Sequence, residues 1–172
     1  MLYFNANKPV IDSRKEAMLM SSNLEAPTSL ARRVAWMAAP FAGGALATGI
    51  AFLLLRSSFP DKVATHFTLD GTADGYSSPA AALGLFMLVF VIEAVGTVAA
   101  GFSSKSALTA RPLGAFSIGL SAATAYILIA VMWATSGSDG RTPELPLFQL
   151  AVGIVVGAAL GAAAWLISRR RA

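Results

Sequence analysis

Cysteine is absent from this chain of 172 residues, so no disulfide, thiolate nucleophile or thiolate metal site is available to it. Charged residues are also scarce, at 13% of the chain against about 25% in a typical soluble domain. There is one histidine, His66, and no glycine-rich phosphate-binding loop. Because the sequence offers no nucleophile with an orienting base, we expect no enzyme activity. We also expect no bound cofactor or metal.

Apolar residues, by contrast, make up 56% of the chain and concentrate in four long runs. The runs cover residues 34–55, 80–102, 113–135 and 145–167. Each is about 20 residues or longer, and a helix of that length crosses a hydrocarbon core of about 30 Å. Backbone donors and acceptors inside a bilayer must be satisfied without water, which favours helices. The sequence therefore predicts an all-α integral membrane protein with four transmembrane helices in a small bundle.

The basic residues predict how the chain is oriented in the membrane. They lie before the first run, between the second and third, and after the fourth, as Arg32, Arg33, Lys105, Arg111, Arg169, Arg170 and Arg171. By the positive-inside rule these segments are cytoplasmic, and the loops at 56–79 and 136–144 are outside. We expect a multi-pass membrane protein with both termini on the cytoplasmic side, whose basic residues contact lipid headgroups and not nucleic acid.

The sequence divides into a four-helix transmembrane domain at residues 34–168 and two cytoplasmic tails. Residues 1–33 mix charged residues and prolines without a lasting amphipathic pattern, which predicts a flexible tail. Residues 169–172 form a short basic tail. Met18 and Met20 are alternative start sites to Met1. A signal peptide beginning near Arg32 is a further alternative, which the length of the apolar run and the three later runs disfavour.

Small residues recur at every fourth position in two of the runs. Gly153, Gly157 and Gly161 do so in the fourth run, and the first contains a similar stripe formed by Ala35, Ala39, Gly43, Ala47 and Ala51. Small residues at this spacing let helix backbones approach closely. The pattern predicts helix contacts and favours an internal bundle, although the spacing leaves contacts between two chains open.

One acidic residue, Glu93, lies near the middle of the second run. A charged carboxylate at that depth costs several kcal/mol unless it is paired, hydrated or protonated. Counting back from the loop that joins the second and third runs brings Ser121 and Thr124 nearest to it. Two interpretations stay open: a proton or ligand site within the bundle, or a protonated carboxyl group that hydrogen-bonds to hydroxyls or backbone.

The first outer loop is the most distinctive part of the sequence. Residues 59–79 read FPDKVATHFTLDGTADGYSSP, with turn signals at 70–71 and 74–75. The loop resembles that of a bacterial membrane family called domain of unknown function 1648, which is related to the amino-terminal part of SdpI-like immunity and signalling proteins. The resemblance rests on Pro60, Asp61, Val63, His66, Phe67, Gly71, Asp74, Gly75, Tyr76 and Ser77. Two positions depart from the family pattern: Ala64 replaces a proline, and Pro79 replaces a basic residue.

The composition of this loop predicts an ordered extracytoplasmic cap on the membrane surface. Gly71 and Gly75 permit turns, and Phe67 and Tyr76 are suited to the headgroup level. A cation site formed by the loop carboxylates and His66 is an alternative, but the resemblance to a calcium loop fails at its twelfth position, Ala81. We expect instead that a hydrogen-bonded His66 holds the loop together. Sensing of external pH by His66 is a further alternative.

Two functions follow from these features. The resemblance implies immunity or envelope signalling, in which the outer loop recognises a peptide toxin or another envelope signal and the bundle or the cytoplasmic tail passes the state inward. A membrane or cytoplasmic protein is a further candidate partner. The alternative is a small transporter, or an accessory subunit of a membrane complex, that uses Glu93. The scarcity of ionisable groups in the runs favours the first function, because transport needs a continuous polar path.

Overall fold

A computed structural model describes residues 13–103, 110–138 and 141–170. The chain forms α1 (Ser13–Leu55), a short 3-10 turn (Arg56–Ser58), β1 (Val63–Phe67), β2 (Ala73–Ser77), α2 (Pro79–Ser103), α3 (Ala110–Ser136) and α4 (Phe148–Arg170). The predicted inner loop around Lys105 lies outside the described residues, as do residues 139–140 of the second outer loop.

Within the described residues, four helical segments are long and apolar enough to cross a membrane. They span Ala31–Ser58, Pro79–Phe102, Pro112–Ser136 and Phe148–Arg170, with mean hydropathies between 1.8 and 2.3. Large apolar side chains on their outer surfaces are exposed, such as Leu54 and Trp36 at 76% and 71%. A surface of this kind is suited to lipid contact. The predicted fold class, an all-α membrane bundle, is confirmed.

Several helix boundaries differ from the sequence prediction, and two of them affect the fold. The fourth helix was expected from residue 145 but begins at Phe148. Leu145 is instead part of the preceding loop, where its N–H donates to the carbonyl of Gly71 at 2.8 Å and its side chain is buried. At the start of the described chain, α1 begins at Ser13, so residues 13–33 are helical although their sequence has no lasting amphipathic pattern. The predicted mobility and cytoplasmic location of that segment stay predictions.

Among the described residues from Ala35 onward, two clusters of apolar side chains fill the interior of the bundle. One joins Phe41 of α1, Phe90 of α2 and Ala125 of α3. The other surrounds Phe52 of α1 and includes Met132 of α3, together with Val63, Ala82, Phe86, Val131 and Leu145. Phe41 and Phe52 are 11 positions apart, or about three helical turns, so both lie on the same side of α1. This spacing explains how α1 packs against α2 and α3.

The two small-residue stripes have different outcomes. A Cβ added at Gly157 would lie 2.5 Å from the carbonyl oxygen of Gly119 on α3, and one added at Gly161 would lie 3.0 Å from that of Ala115. The α4 stripe therefore packs against α3 within the chain, as predicted. Most of the α1 stripe does not: Ala35, Ala39, Gly43 and Ala47 are exposed, while Ala51 packs against the cluster around Phe52. The internal contact expected of the stripe is wrong for the four exposed residues, because larger α1 residues such as Phe41 fill the bundle.

Candidate functional site

The first outer loop folds into an antiparallel hairpin of β1 and β2. Its turn is closed by two backbone bonds, from Thr68 N–H to the Thr72 carbonyl at 2.9 Å and from Gly71 N–H to the Thr68 carbonyl at 3.0 Å. Gly71 has a φ of +89°, a conformation that disfavours residues with a Cβ. The turn signal at 70–71 in the sequence therefore marks the tip of the hairpin. The turn predicted at 74–75 is wrong, because both residues lie within β2.

The hairpin is attached to the bundle through the start of β1. Val63 and Ala64 are completely buried, and Val63 belongs to the cluster around Phe52. The N–H of Ala64 also donates to Oγ1 of Thr135 on α3 at 3.3 Å. These contacts fix the direction in which the rest of the hairpin points. His66, farther along β1, is exposed.

The second outer loop is joined to the hairpin by backbone hydrogen bonds. Ala73 N–H donates to the Pro143 carbonyl at 3.0 Å, and Leu145 N–H donates to Gly71. Thr72 and Glu144 form an isolated antiparallel bridge. We call residues 59–79 and 141–147 together the outer cap, after the side of the membrane predicted for them by the positive-inside rule. The sequence predicted order in the first loop but gave no indication that the second loop pairs with it.

His66 and Asp74 form a side-chain pair on the surface of the cap. Nδ1 of His66 hydrogen-bonds to Oδ1 of Asp74, and the two side chains are 72% and 47% exposed. Gly75 lies opposite His66 in the hairpin, and a Cβ added there would lie 2.7 Å from that of His66. The predicted hydrogen bond of His66 is thus present, whereas its role in holding the loop together stays a prediction. An exposed pair of this kind contributes only about 0–1 kcal/mol to stability.

A second polar group lies at the tip of the hairpin. Oγ1 of Thr68 donates to Oδ1 of Asp70, and the N–H of Thr72 donates to the same oxygen at 3.1 Å. These hydrogen bonds lower the pKa of Asp70 below its usual value, and the bond from Thr68 has the largest effect. Leu69, which the sequence did not single out, is 93% exposed at this tip. Within the described ranges, no three His, Cys, Asp or Glu residues are grouped as a metal site would require.

An open cleft of about 490 Å³ lies where the two loops of the cap meet. Charged and aromatic side chains line it together with small polar residues and prolines: Pro60, Asp61, Lys62, Tyr76, Ser138, Arg141, Thr142 and Pro143. Pro60, Asp61 and Tyr76 were predicted from the first loop. Arg141 was missed, since only the pairing of the loops brings it to the same cleft.

Phe67, which was predicted to lie at the headgroup level, is half-buried and packs against the cluster around Phe52.

Within the bundle, Glu93 has one of its two predicted partners. Oγ1 of Thr124 donates to Oε1 of Glu93 at 2.5 Å. Oε2 of Glu93 is buried and has no hydrogen-bond partner among the described residues. Ser121 was also expected beside Glu93 but instead donates to the carbonyl of Pro40 on α1 at 2.7 Å. Gly44 makes this possible, because a Cβ there would collide with Oγ of Ser121.

Comparison with known proteins gave one result. Neither the curated proteins nor the solved structures contain a match to the chain. Residues 43–92 match the family described as domain of unknown function (DUF1648). The matched stretch contains the end of α1, the hairpin and the first part of α2, and it stops one residue before Glu93. This stretch of an all-α membrane protein is therefore similar to the DUF1648 family.

Proposed function

We propose that the chain is a non-enzymatic protein of the bacterial cytoplasmic membrane that recognises a peptide toxin or another envelope signal through its outer cap. The resemblance of the first loop to SdpI-like proteins suggests the two roles, immunity or envelope signalling. The DUF1648 match at residues 43–92 includes the hairpin and so supports the family part of that resemblance. The proposed recognition of a peptide toxin or envelope signal is based on the structure of the outer cap.

The observation that carries the proposal is the construction of the cap from both outer loops. Backbone bonds hold the two loops together, and the buried start of β1 holds them on the bundle. Loops fixed on a rigid scaffold are a common location for binding residues. The cap exposes His66 with Asp74, and its cleft contains Lys62 and Arg141 of one charge and Asp61 of the other. This surface suits a peptide that carries both charged and aromatic groups.

One observation favours the alternative, a transporter or an accessory subunit that uses Glu93. The unpartnered Oε2 of Glu93 is a place where a proton or a polar ligand could bind. Glu93 is, however, the one acidic residue in the four spans. A path across the bilayer requires several polar stations, so the outer cap is the better supported site.

The proposal requires the cap to face the outside, and the absence of cysteine allows a direct test. Thr142→Cys and Arg170→Cys each introduce one thiol, at the cap and at the end of α4. A membrane-impermeant maleimide added to intact cells should label Thr142→Cys, and Arg170→Cys only after the cells are permeabilised. Labelling of Arg170→Cys in intact cells would reverse the orientation and contradict the proposal.

Recognition itself is tested by photo-crosslinking in cells. Tyr76 lines the cleft and is 43% exposed, so replacing it with p-benzoylphenylalanine places the reactive group at the proposed site. Leu54, on the outer surface of α1, is the matched control. We expect position 76 to yield a peptide adduct by mass spectrometry and position 54 to yield lipid. Peptide adducts at neither position, or equally at both, would contradict recognition by the cap.

A further inference from the structure

A separate feature lies on the outer surface of the bundle, between α3 and α4. An open groove of about 550 Å³ runs along the two helices on this side. Its floor is formed where Gly119 and Gly157 meet, and its walls include Phe116 and Ile154. Ala158 and Ala162 leave it open because their side chains are short. The groove is thus an apolar furrow on a surface suited to lipid.

A positive charge is held at one end of this groove. Trp165 lines the groove, and the guanidinium group of Arg169 lies 3.7 Å from the centroid of its ring. Stacking of this kind orients the guanidinium group while leaving its N–H donors free to bind. Arg169 is exposed, and so is Arg170, with which α4 ends. The apolar furrow and the fixed cation are therefore parts of one continuous surface.

We propose that this surface binds an anionic phospholipid of the surrounding bilayer. One acyl chain lies in the groove along Ala158 and Ala162, and the phosphate accepts hydrogen bonds from Arg169. Basic groups at the ends of membrane helices attract anionic headgroups, and guanidinium groups bind phosphate in a bidentate manner. The site does not depend on the function of the outer cap, from which it is separated along the length of α4.

A second copy of the chain is a less suitable occupant of the same groove. In a symmetric dimer that uses this face on both copies, two helices of the same direction would bring Arg169 and Arg170 close to the same residues of the partner. Like charges at that position repel each other, whereas a phosphate group neutralises them. The charge at the end of the groove therefore favours lipid.

Native mass spectrometry of the detergent-purified chain tests the proposal. The probes are phosphatidylglycerol and phosphatidylcholine with identical acyl chains, which differ only in headgroup charge. We expect phosphatidylglycerol to bind about fivefold more tightly than phosphatidylcholine, because that is the gain in affinity expected from one arginine near an anionic headgroup. Arg169→Gln should remove that preference, while Arg56→Gln, a change of another exposed arginine at the opposite end of the bundle, should retain it.

The groove is tested by filling it. The double variant Ala158→Leu, Ala162→Leu should lose phosphatidylglycerol binding, while Ala159→Leu, an exposed position on the same helix, should bind as the parent does. Circular dichroism of each variant shows whether the helices are intact. Equal binding of the two lipids by the parent, or unchanged binding by the helical double variant, would overturn the proposal. So would a dimer of the parent that the double variant abolishes.

Discussion

The outer cap and the α3–α4 contact are both well-packed regions, but they are held together by different means. In the cap, backbone hydrogen bonds join two loops around a glycine with a positive φ. In the α3–α4 contact, Gly119 and Gly157 bring the helix backbones together because neither has a side chain. The cap leaves polar side chains exposed on its surface, whereas the residues of the α3–α4 contact are used for packing. The comparison explains why we assign recognition to the cap.

The largest effect is expected from a methyl group added to the helix contact. In Gly157→Ala, the new Cβ would lie 2.5 Å from the Gly119 carbonyl oxygen and 2.8 Å from Cβ of Ala123. Both neighbours are fixed by helix backbone, so we expect a loss of about 1–3 kcal/mol in stability, measured as a lower Tm in detergent. Gly114→Ala, whose Cβ would meet nothing within 4 Å, is the control. Equal Tm values for the two variants would contradict the assigned contact.

A similar change in the cap should act locally. Gly71→Ala forces a Cβ into a positive-φ conformation and against the Leu145 carbonyl, at a cost of about 1–2 kcal/mol. We expect faster hydrogen exchange in β2 and at Leu145, with the helices unaffected. Gly43→Ala, at an exposed helical site with no neighbour within 4 Å, is the matched control. Unchanged exchange at Leu145 would show that the two loops are not joined as described.

Glu93→Gln should have a smaller effect on stability. If the carboxyl group is neutral, as its depth in the bilayer leads us to expect, the amide can still accept the bond from Thr124. The variant should then insert and unfold within about 1 kcal/mol of the parent. Thr124→Val, which removes the donor, serves as the comparison. Failure of Glu93→Gln to fold would indicate an ionised carboxylate and would revive the transport alternative.

The smallest effect is expected at the hairpin tip and depends on pH. The pKa of Asp70 is lowered in the folded cap, chiefly by the hydrogen bond from Thr68. The contribution of the ionised carboxylate to the stability of the hairpin tip is therefore present above its unfolded pKa of about 3.8. That contribution is lost as the pH falls through the folded pKa. Asp70→Asn should therefore slightly reduce protection of the Thr72 N–H at neutral pH and have no effect in strong acid. A difference that persisted in strong acid would contradict a charge-dependent bond.

Much of the bundle could be predicted from composition and spacing. Long apolar runs specify membrane helices almost by themselves, because the bilayer leaves the backbone few alternatives. Spacing could not decide which small-residue stripe is used. Gly157 packs inside, yet Gly43 faces outward, since the position of larger neighbours such as Phe41 determines which face of α1 enters the bundle. Likewise, counting along the helices found Thr124 beside Glu93 but not the rotation that turns Ser121 toward α1.

The cap could be predicted only in part. The turn residue Gly71 and the pairing of His66 were accessible from local sequence, because turn chemistry and hydrogen-bonding capacity depend on single residues. The pairing of Thr72 with Glu144 depends on two segments that are far apart in the chain and carry no shared motif. For the same reason the sequence gave no indication that Arg141 lines the cleft.

The most direct test of the central claim measures peptide crosslinking at position 76 in cells that carry His66→Ala or Asp74→Ala. The exposed pair adds little to stability, so both variants should reach normal membrane levels but lose most of the peptide adduct. Ser57→Ala, at an exposed position outside the cap, should keep the full yield. Full adduct yield in both His66→Ala and Asp74→Ala, with the protein present at normal levels, would contradict recognition by the outer cap.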